Sequence, residues 1–192
     1  YARQHGVSHQ VHFVVGDAEQ LPADDKSYDY AVSSHVLEHL PDFQQGAREL
    51  NRVAKQKVIV AIPTCLNLAS LVLLGNDKYW VVARRTPYAW LVGFVRILFA
   101  LVTGQEGVNE SYAGKPELIH IHRFPWRGAS RLRKAGLVVE QFRASSYPVP
   151  YIPFFVPLSK LITKLCWSPI LRQFGFGTTY LCHATAVHHH VK

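Results

Sequence analysis

The chain contains no methionine and only three cysteines, Cys65, Cys166 and Cys182. The cysteines stand far apart among apolar neighbours and form no CxxC pair, which excludes a disulfide framework or a thiolate metal knuckle as the organising device. A reducing cytoplasm is the expected compartment. Acids are scarce in one half. Residues 1–77 carry nine acids against six bases, net −3, whereas residues 78–192 carry four against 15, net +11, which together give the +8 of the whole chain. A basic half of this kind points to an anionic partner, whether phospholipid, acidic substrate or nucleic acid, with an ordinary solvated surface as the alternative. An uncharged apolar run of the ~20 residues needed for a membrane span is also missing. The longest apolar run, Tyr88 to Val102 (YAWLVGFVRILFALV), carries Arg96 near its centre, where insertion would cost about 2.5 to 3.5 kcal/mol. It is therefore read as a lid helix over a pocket or as a helix lying in the membrane interface, giving a cytoplasmic protein with peripheral contact to an anionic membrane.

What is present is a length of 192 residues with 48% apolar content, enough for one core. Three short apolar runs, Val11 to Val15, Tyr30 to Ser33 and Lys57 to Ile62, are bounded by turn residues or by a helix-like segment and read as buried parallel strands. Between the second and third, Val36, Leu40, Ala47, Leu50 and Val53 recur at roughly helical spacing, and Pro41 breaks the pattern into two helices. Strand alternating with helix predicts an α/β fold. In open parallel sheets, ligands bind outside the carboxyl ends of the strands. The informative residues are therefore Gly16, Asp17, Ala18 and Glu19 after the first run, and Ser33, Ser34 and His35 after the second.

The segments GDAEQLP, SYDYAVSSHVLEHLPD and RELNRV, in that order and followed by a strand ending in proline, closely resemble the central motifs of class I S-adenosylmethionine-dependent methyltransferases of the small-molecule, type 11-like group. The resemblance is specific over Phe13 to Pro63 and weaker through Val187. It implies a Rossmann-like fold with sheet order 3-2-1-4-5-7-6, S-adenosylmethionine as cofactor, and a cofactor site that includes Asp17, Ala18, Ser34 and His35. On that footing Asp17 accepts from the adenine amine, Ala18 offers its backbone N–H to the adenine ring, and Ser33, Ser34 and His35 line the methionine part. Glu38 and His39 match a frequent Glu-His pair, which holds bicarbonate in cyclopropane-forming relatives and is structural in most others. The family's first motif, a strand entering a glycine-rich turn, has no counterpart here. Neither has the acid after the second strand that holds the ribose. With YARQHGVSHQ looking like the end of the helix before the third strand, the sequence is read as a C-terminal part holding strands 3 to 7.

Residues 1–63 are accordingly expected to be the second half of the cofactor core, and residues 64–119 a hydrophobic helical lid insertion. Residues 120–192 supply the last helix and strands of the same domain, with a Pro-rich and amphipathic-helix insertion at 147–172. Within them a helix is predicted from Trp126 to Ala135 with Leu132 and Ala135 inward, stopped by Gly136, then a strand from Leu137 to Phe142. FGFGTTYLCHATAV reads as a glycine turn plus the seventh strand, antiparallel between the fifth and sixth. Leu158, Leu161, Ile162 and Leu165 share one helical face, with Lys160 and Lys164 on another.

Methyl transfer requires mainly that an acceptor be held in line and water excluded, worth up to ~7 to 11 kcal/mol. His35, His39, His120, His122 and Tyr112 are the general-base candidates, with His120 and His122 read as a loop pair at the pocket. The expected acceptor is a small, apolar or lipid-like molecule. Nucleic acid is not expected, since the Asn/Asp-Pro-Pro-aromatic motif of exocyclic-amine methylation is replaced by Ser33, Ser34, His35 and Val36. Two other classes compete: an inactive relative serving as a membrane- or partner-binding module, and a zinc hydrolase using the H-x-x-E-H pattern of His35, Glu38 and His39. No metal ligands are assigned. The run His188, His189, His190 is taken as a solvated chain end.

Overall fold

The computed structural model describes residues 11–75, 88–110, 119–144, 157, 173–175 and 177–185. Its central sheet has four strands, β1 (Tyr28–Ser34), β2 (Ala54–Pro63), β5 (Val138–Ala144) and β6 (Gly177–His183), in the order β1-β2-β6-β5. β1 runs parallel to β2, and β6 lies antiparallel to both β2 and β5. This is the 4-5-7-6 portion of the expected order, with the last strand inserted antiparallel. Helices α1 (Phe43–Val53) and α4 (Pro125–Lys134) cover one face. The parity of β2 decides which face: Val58, Val60 and Ile62 are fully buried and meet Tyr180 and Cys182 of β6 and Ala129, Leu132 and Leu137 around α4 in one core.

α1 forms because its two ends are satisfied. Asp42 caps the first turn through Gln44 N (2.9 Å) and Gln45 N (3.1 Å). At the other end Lys26, one of two non-glycine residues with positive φ among the described residues, places its ammonium on the carbonyls of Asn51, Ala54 and Thr185 at 2.7 to 2.9 Å, the charge favoured at a helix C-terminus. Burial lowers the Lys26 pKa from its ordinary value. The Arg52 guanidinium, on the last turn, binds Glu49, Asp25 and the carbonyls of Leu21 and Ala23, and so straps the 20–25 loop to the helix.

Several expectations are corrected. Val11 to Val15 is not a strand: it has no regular structure and leaves Phe13, Val14 and Val15 exposed, because no strand lies beside it among the described residues. β1 is not buried on both faces either. Tyr28, Tyr30 and Val32 are all exposed, since helices cover only the opposite face among the described residues and β2 is its sole ladder partner there. The first of the two helices is a single 3-10 turn, Leu37–His39, and Val36 is exposed. The segment carrying His120 and His122 is not a loop, because residues Ile121–Arg123 form strand β4, paired with β3 (Gly107–Asn109).

Of the elements expected after β2, the apolar helix, the helix stopped by Gly136 and the two strands that follow are present. α2 (Leu68–Leu73) precedes the apolar helix, α3 (Ala89–Val102), and α4 is followed by Gly136 at φ +88 and then β5. α3 spans about 21 Å at 1.5 Å per residue, short of the ~30 Å bilayer core, and no described helix is long and apolar enough to cross a membrane. Its Gly93 touches the Leu71 backbone so closely that no side chain fits there. Arg96 is used within the protein: it donates to Leu74 O at the end of α2 and to Asn109 O (2.8 Å) in β3. Cys65, Leu74, Ile97, Ala100, Val108 and Phe124 form a second core beneath these elements. The proline-rich segment Pro148 to Pro153, the amphipathic helix expected from Leu158 to Trp167, Tyr112, Arg84, Arg85, Cys166 and His188 to His190 lie outside the described residues.

Glu49 offers a direct test of the strap. Its carboxylate accepts from Arg52 Nη2 (2.7 Å), Arg52 Nε (2.8 Å) and Leu21 N (2.8 Å), and Arg52 lowers its pKa despite burial. A depressed folded pKa stabilises above the unfolded value, ordinarily about 4.3, and that contribution vanishes as pH falls through the folded value. Glu49→Gln is expected to lose about 1.5 to 3 kcal/mol at neutral pH. In urea unfolding the gap from wild type should close in acid, and a gap that persists there would refute the ionic origin.

Candidate active site

The candidate site lies at the carboxyl ends of β1 and β2. The β1–β2 ladder continues one residue past β1, with His35 N donating to Ala61 O (2.9 Å), and His35 then turns the chain with φ +54. For a non-glycine residue that conformation is uncommon and concentrates at functional turns. Ser34 and His35 are exposed there, while Ser33 is buried and its hydroxyl has no hydrogen-bond partner. His35 Nδ1 stands 3.2 Å from Glu38 Oε1, a close ion-pair contact rather than a well-directed hydrogen bond. The carboxylate raises the imidazole pKa above its ordinary value against the opposing effect of partial burial.

Asp17 and Ala18 occupy a separate turn. Asp17 O accepts from Gln20 N (3.1 Å) and its side chain from Glu19 N (2.9 Å), with the residue exposed. Glu19 ties this turn to the N-terminus of α1, accepting from Asp42 N (2.7 Å) and, through its carbonyl, from Gln45 Nε2 (3.0 Å). Both candidate pairs thus hang on one helix. At Gly46 of α1 an added Cβ would press on the side-chain ends of Leu40 and Leu37 and meet Ala18 O at an ordinary 3.6 Å, so the 3-10 turn and the Asp17 turn both pack close to the helix there.

A buried cluster adjoins this end of the sheet. Thr64, just past β2, bridges to Arg123, and Cys65 N donates to Arg123 O (3.3 Å), which docks β4 on the continuation of β2. β4 carries His122 inward beside His120. Both rings contact Glu110 Oε2, His120 Nδ1 at 3.0 Å and His122 Nε2 at 2.9 Å, and all three side chains are buried. Burial by itself would raise the Glu110 pKa, but the two imidazoles hold it below the ordinary carboxylate value. The His39 ring stacks on His120 at 4.5 Å between centroids and its Nδ1 lies 3.0 Å from Ile119 O. His35 and His39 therefore face different partners, and with only a 3-10 turn between them they do not form the two-histidine helix face of an H-x-x-E-H zinc site.

Residues 1–62 match the family described as methyltransferase domain. Over 95% of this chain and 70% of its own, a Thermotoga maritima S-adenosylmethionine-dependent methyltransferase, described as a possible histamine N-methyltransferase, superposes with a TM-score of 0.52 at 15% identity. The fold is that of the class I methyltransferases. Among curated proteins the chain is 28% identical over 143 residues to the demethylmenaquinone methyltransferase of Geobacillus stearothermophilus, covering 73% of this chain and 55% of that protein. It is 38% identical over 61 residues to the ajmaline N-methyltransferase of Rauvolfia serpentina, covering 32% and 21%. The chain thus spans about half the length of the first of these relatives, and less of the second.

In a methyltransferase fold the cofactor lies along the strand ends just described, and the residues present fit one. Asp17 presents an exposed carboxylate able to accept from an amine, and Ser33 holds an orphaned hydroxyl beside the exposed Ser34 and His35. Sequence reasoning placed His120 and His122 near the pocket but missed Glu110, although it is one of only four acids after residue 77 and closely precedes the histidines. Three of those four acids, Glu106, Glu110 and Glu117, fall within twelve residues, and that concentration was the available signal.

Because the Ser33 hydroxyl has no protein partner, Ser33→Ala should change the unfolding free energy by no more than about 0.5 kcal/mol. A loss well beyond this in denaturant titration would mean that the hydroxyl is tied within the fold and not reserved for a ligand.

Proposed function

We propose that this chain belongs to an S-adenosylmethionine-dependent methyltransferase acting on a small, apolar or lipid-like acceptor. The observation that carries the reading is the joining of the family's sequence pattern to β1, whose carboxyl end leaves Ser33, Ser34 and His35 without a competing internal role apart from the His35–Glu38 contact. The cofactor would bring an already activated methyl group, so no acid or base is needed to activate the donor. Asp17 and the Ala18 N–H hold the adenine end, and Ser34 and His35 hold the methionine end. The 3-10 turn and α1 keep the two halves in fixed relation. His39, at the exposed rim of the histidine cluster, is the base best placed for an acceptor that must lose a proton.

Calorimetry on the intact protein containing this chain tests the cofactor half. Asp17→Ala is expected to weaken S-adenosylmethionine binding by about 1 to 3 kcal/mol, the effect of leaving an adenine donor unpaired, and equal affinities would remove Asp17 from the site.

A lipid-like acceptor, with peripheral attachment to an anionic membrane, draws support from α3. Trp90, Leu91, Phe94, Val95, Leu98, Phe99 and Val102 are exposed on a helix that buries only Ala89, Gly93, Ile97 and Ala100. Such an apolar surface, in a half of the chain with net charge +11, suits a helix lying in the headgroup region, where each nearby base adds roughly 1 kcal/mol. The two curated relatives are named for methylation of a menaquinone precursor and of an alkaloid, both small molecules, which supports an acceptor of this size. The same face would serve an inactive binding module.

Vesicle co-sedimentation separates docking from simple pocket walls. The protein should pellet with anionic but not with neutral vesicles, less so in high salt and less so in Phe94→Glu with Phe99→Glu. A protein that stays in the supernatant with anionic vesicles at low salt would rule the attachment out.

A further inference from the structure

Glu110, His120 and His122 form a buried group that the cofactor reading leaves unused, and its hydrogen inventory does not close. The Ser70 hydroxyl donates its only hydrogen to Thr64 O (2.7 Å) and accepts from Asn67 Nδ2 (2.8 Å). Its remaining lone pair faces His122 Nδ1 at 3.4 Å, which therefore carries the proton of that imidazole. In a neutral ring His122 Nε2 is then a bare lone pair, yet it stands 2.9 Å from a carboxylate oxygen, Glu110 Oε2. His120 Nδ1 approaches the same oxygen, while Glu110 Oε1 is buried with no partner at all. Two lone pairs facing one another in a dry pocket require something positive between them: a second proton on the ring or a cation.

We propose that Glu110, His120 and His122 bind one divalent transition-metal cation of the zinc class. Two imidazoles and a carboxylate are the donor set that suits such an ion and leaves one position open. Their ligand atoms lie within 4.8 Å of one another, and the nitrogen-to-oxygen separations of 2.9 and 3.0 Å need to open by only a few tenths of an ångström to reach the ~3.3 Å edges of a tetrahedron with 2.0–2.1 Å bonds. The surrounding contacts are those of a prepared site: His122 is oriented through Ser70, and His120 is stacked on His39. A second buried carboxylate, Glu38, lies near, with one donor atom each from Glu38, His39 and His120 also within 4.8 Å of one another. The buried Arg123 guanidinium acts on Glu38, and a cation would offset the second carboxylate, Glu110. The rival arrangement is an imidazolium–carboxylate pair with no ion.

The test uses the 192-residue chain with His188→Ala, His189→Ala and His190→Ala, which removes the terminal histidine run as a competing chelator. The protein is stripped with a chelator, titrated with Co²⁺ and then challenged with Zn²⁺. The expected result is one Co²⁺ per chain with the intense visible absorption of a four- or five-coordinate nitrogen/oxygen site, displaced by Zn²⁺, which favours a tetrahedral set of these donors. Glu110→Gln and His122→Asn should each weaken binding by at least about tenfold, the lower end of what even an outer-shell partner contributes. Circular dichroism reports whether those variants fold, and if they do not, the absorption spectrum of the unmutated site decides. Absent or only weak octahedral absorption would leave the protonated pair as the occupant and overturn the proposal. Binding that survives intact in both folded variants would place the ion elsewhere and overturn it equally. None of these readouts involves S-adenosylmethionine, so failure of the methyltransferase reading would register separately.

Discussion

Everything in this molecule depends on the burial parity of β2. Val58, Val60 and Ile62 are fully buried against α1, α4 and the inner residues of β6. At about 25 cal/mol per Å² of apolar area, three such side chains in one row fix the face of the sheet that looks inward. A slip of one residue would present Lys57, Ile59 and Ala61 to the core instead. Once the face is fixed, so is the end from which the loops emerge. Ser33 to His35 leave β1 at the same end as Thr64 and Cys65 leave β2, and β4 docks there through Arg123. The chemistry is brought together by the ladder, not by any sequence proximity among the residues concerned.

The second half is built by different means. Its core is small, and polar staples fix its elements: Arg96 spans α2 and β3, Arg131 joins Glu106 and Gln44, and Asn67 and Ser70 hold Thr64. Arg123 is buried, stacks on Phe43 at 4.3 Å and has its pKa lowered by burial. The buried Arg123, His120 and His122, with few acids to match them, make this half electrostatically demanding, which gives Glu106 and Glu110 a structural or functional assignment.

How much of this could be read from the sequence differs by element. The strand–helix–strand unit was legible because β2 carries a continuous apolar run and α1 carries a helical repeat, both local signals. The α4–Gly136–β5 unit was legible for the same reason. Val11 to Val15 misled because a run of valines states only a preference for an extended backbone, and its burial depends on neighbouring strands that composition does not reveal. In the candidate site, Asp17, Ala18, Ser34 and His35 were nominated through a family pattern, and the structure places them in two turns tied to one helix. Glu110 was hidden because its partners lie across a hairpin, and pairing across β3 and β4 leaves no periodic trace in strands of three residues.

The position of β6 has a consequence for how the chain comes into being. Val60 pairs with Tyr180, and β5 reaches the sheet only through β6. Contacts this distant along the chain close slowly, since the entropy of the intervening loop is lost before any of the pairing is gained. During synthesis β2 emerges long before its neighbour, by on the order of ten seconds at ordinary ribosomal rates. For that interval its apolar row and free backbone edge stand open, so the nascent chain, more than the finished protein, is what a chaperone would be called on to shield.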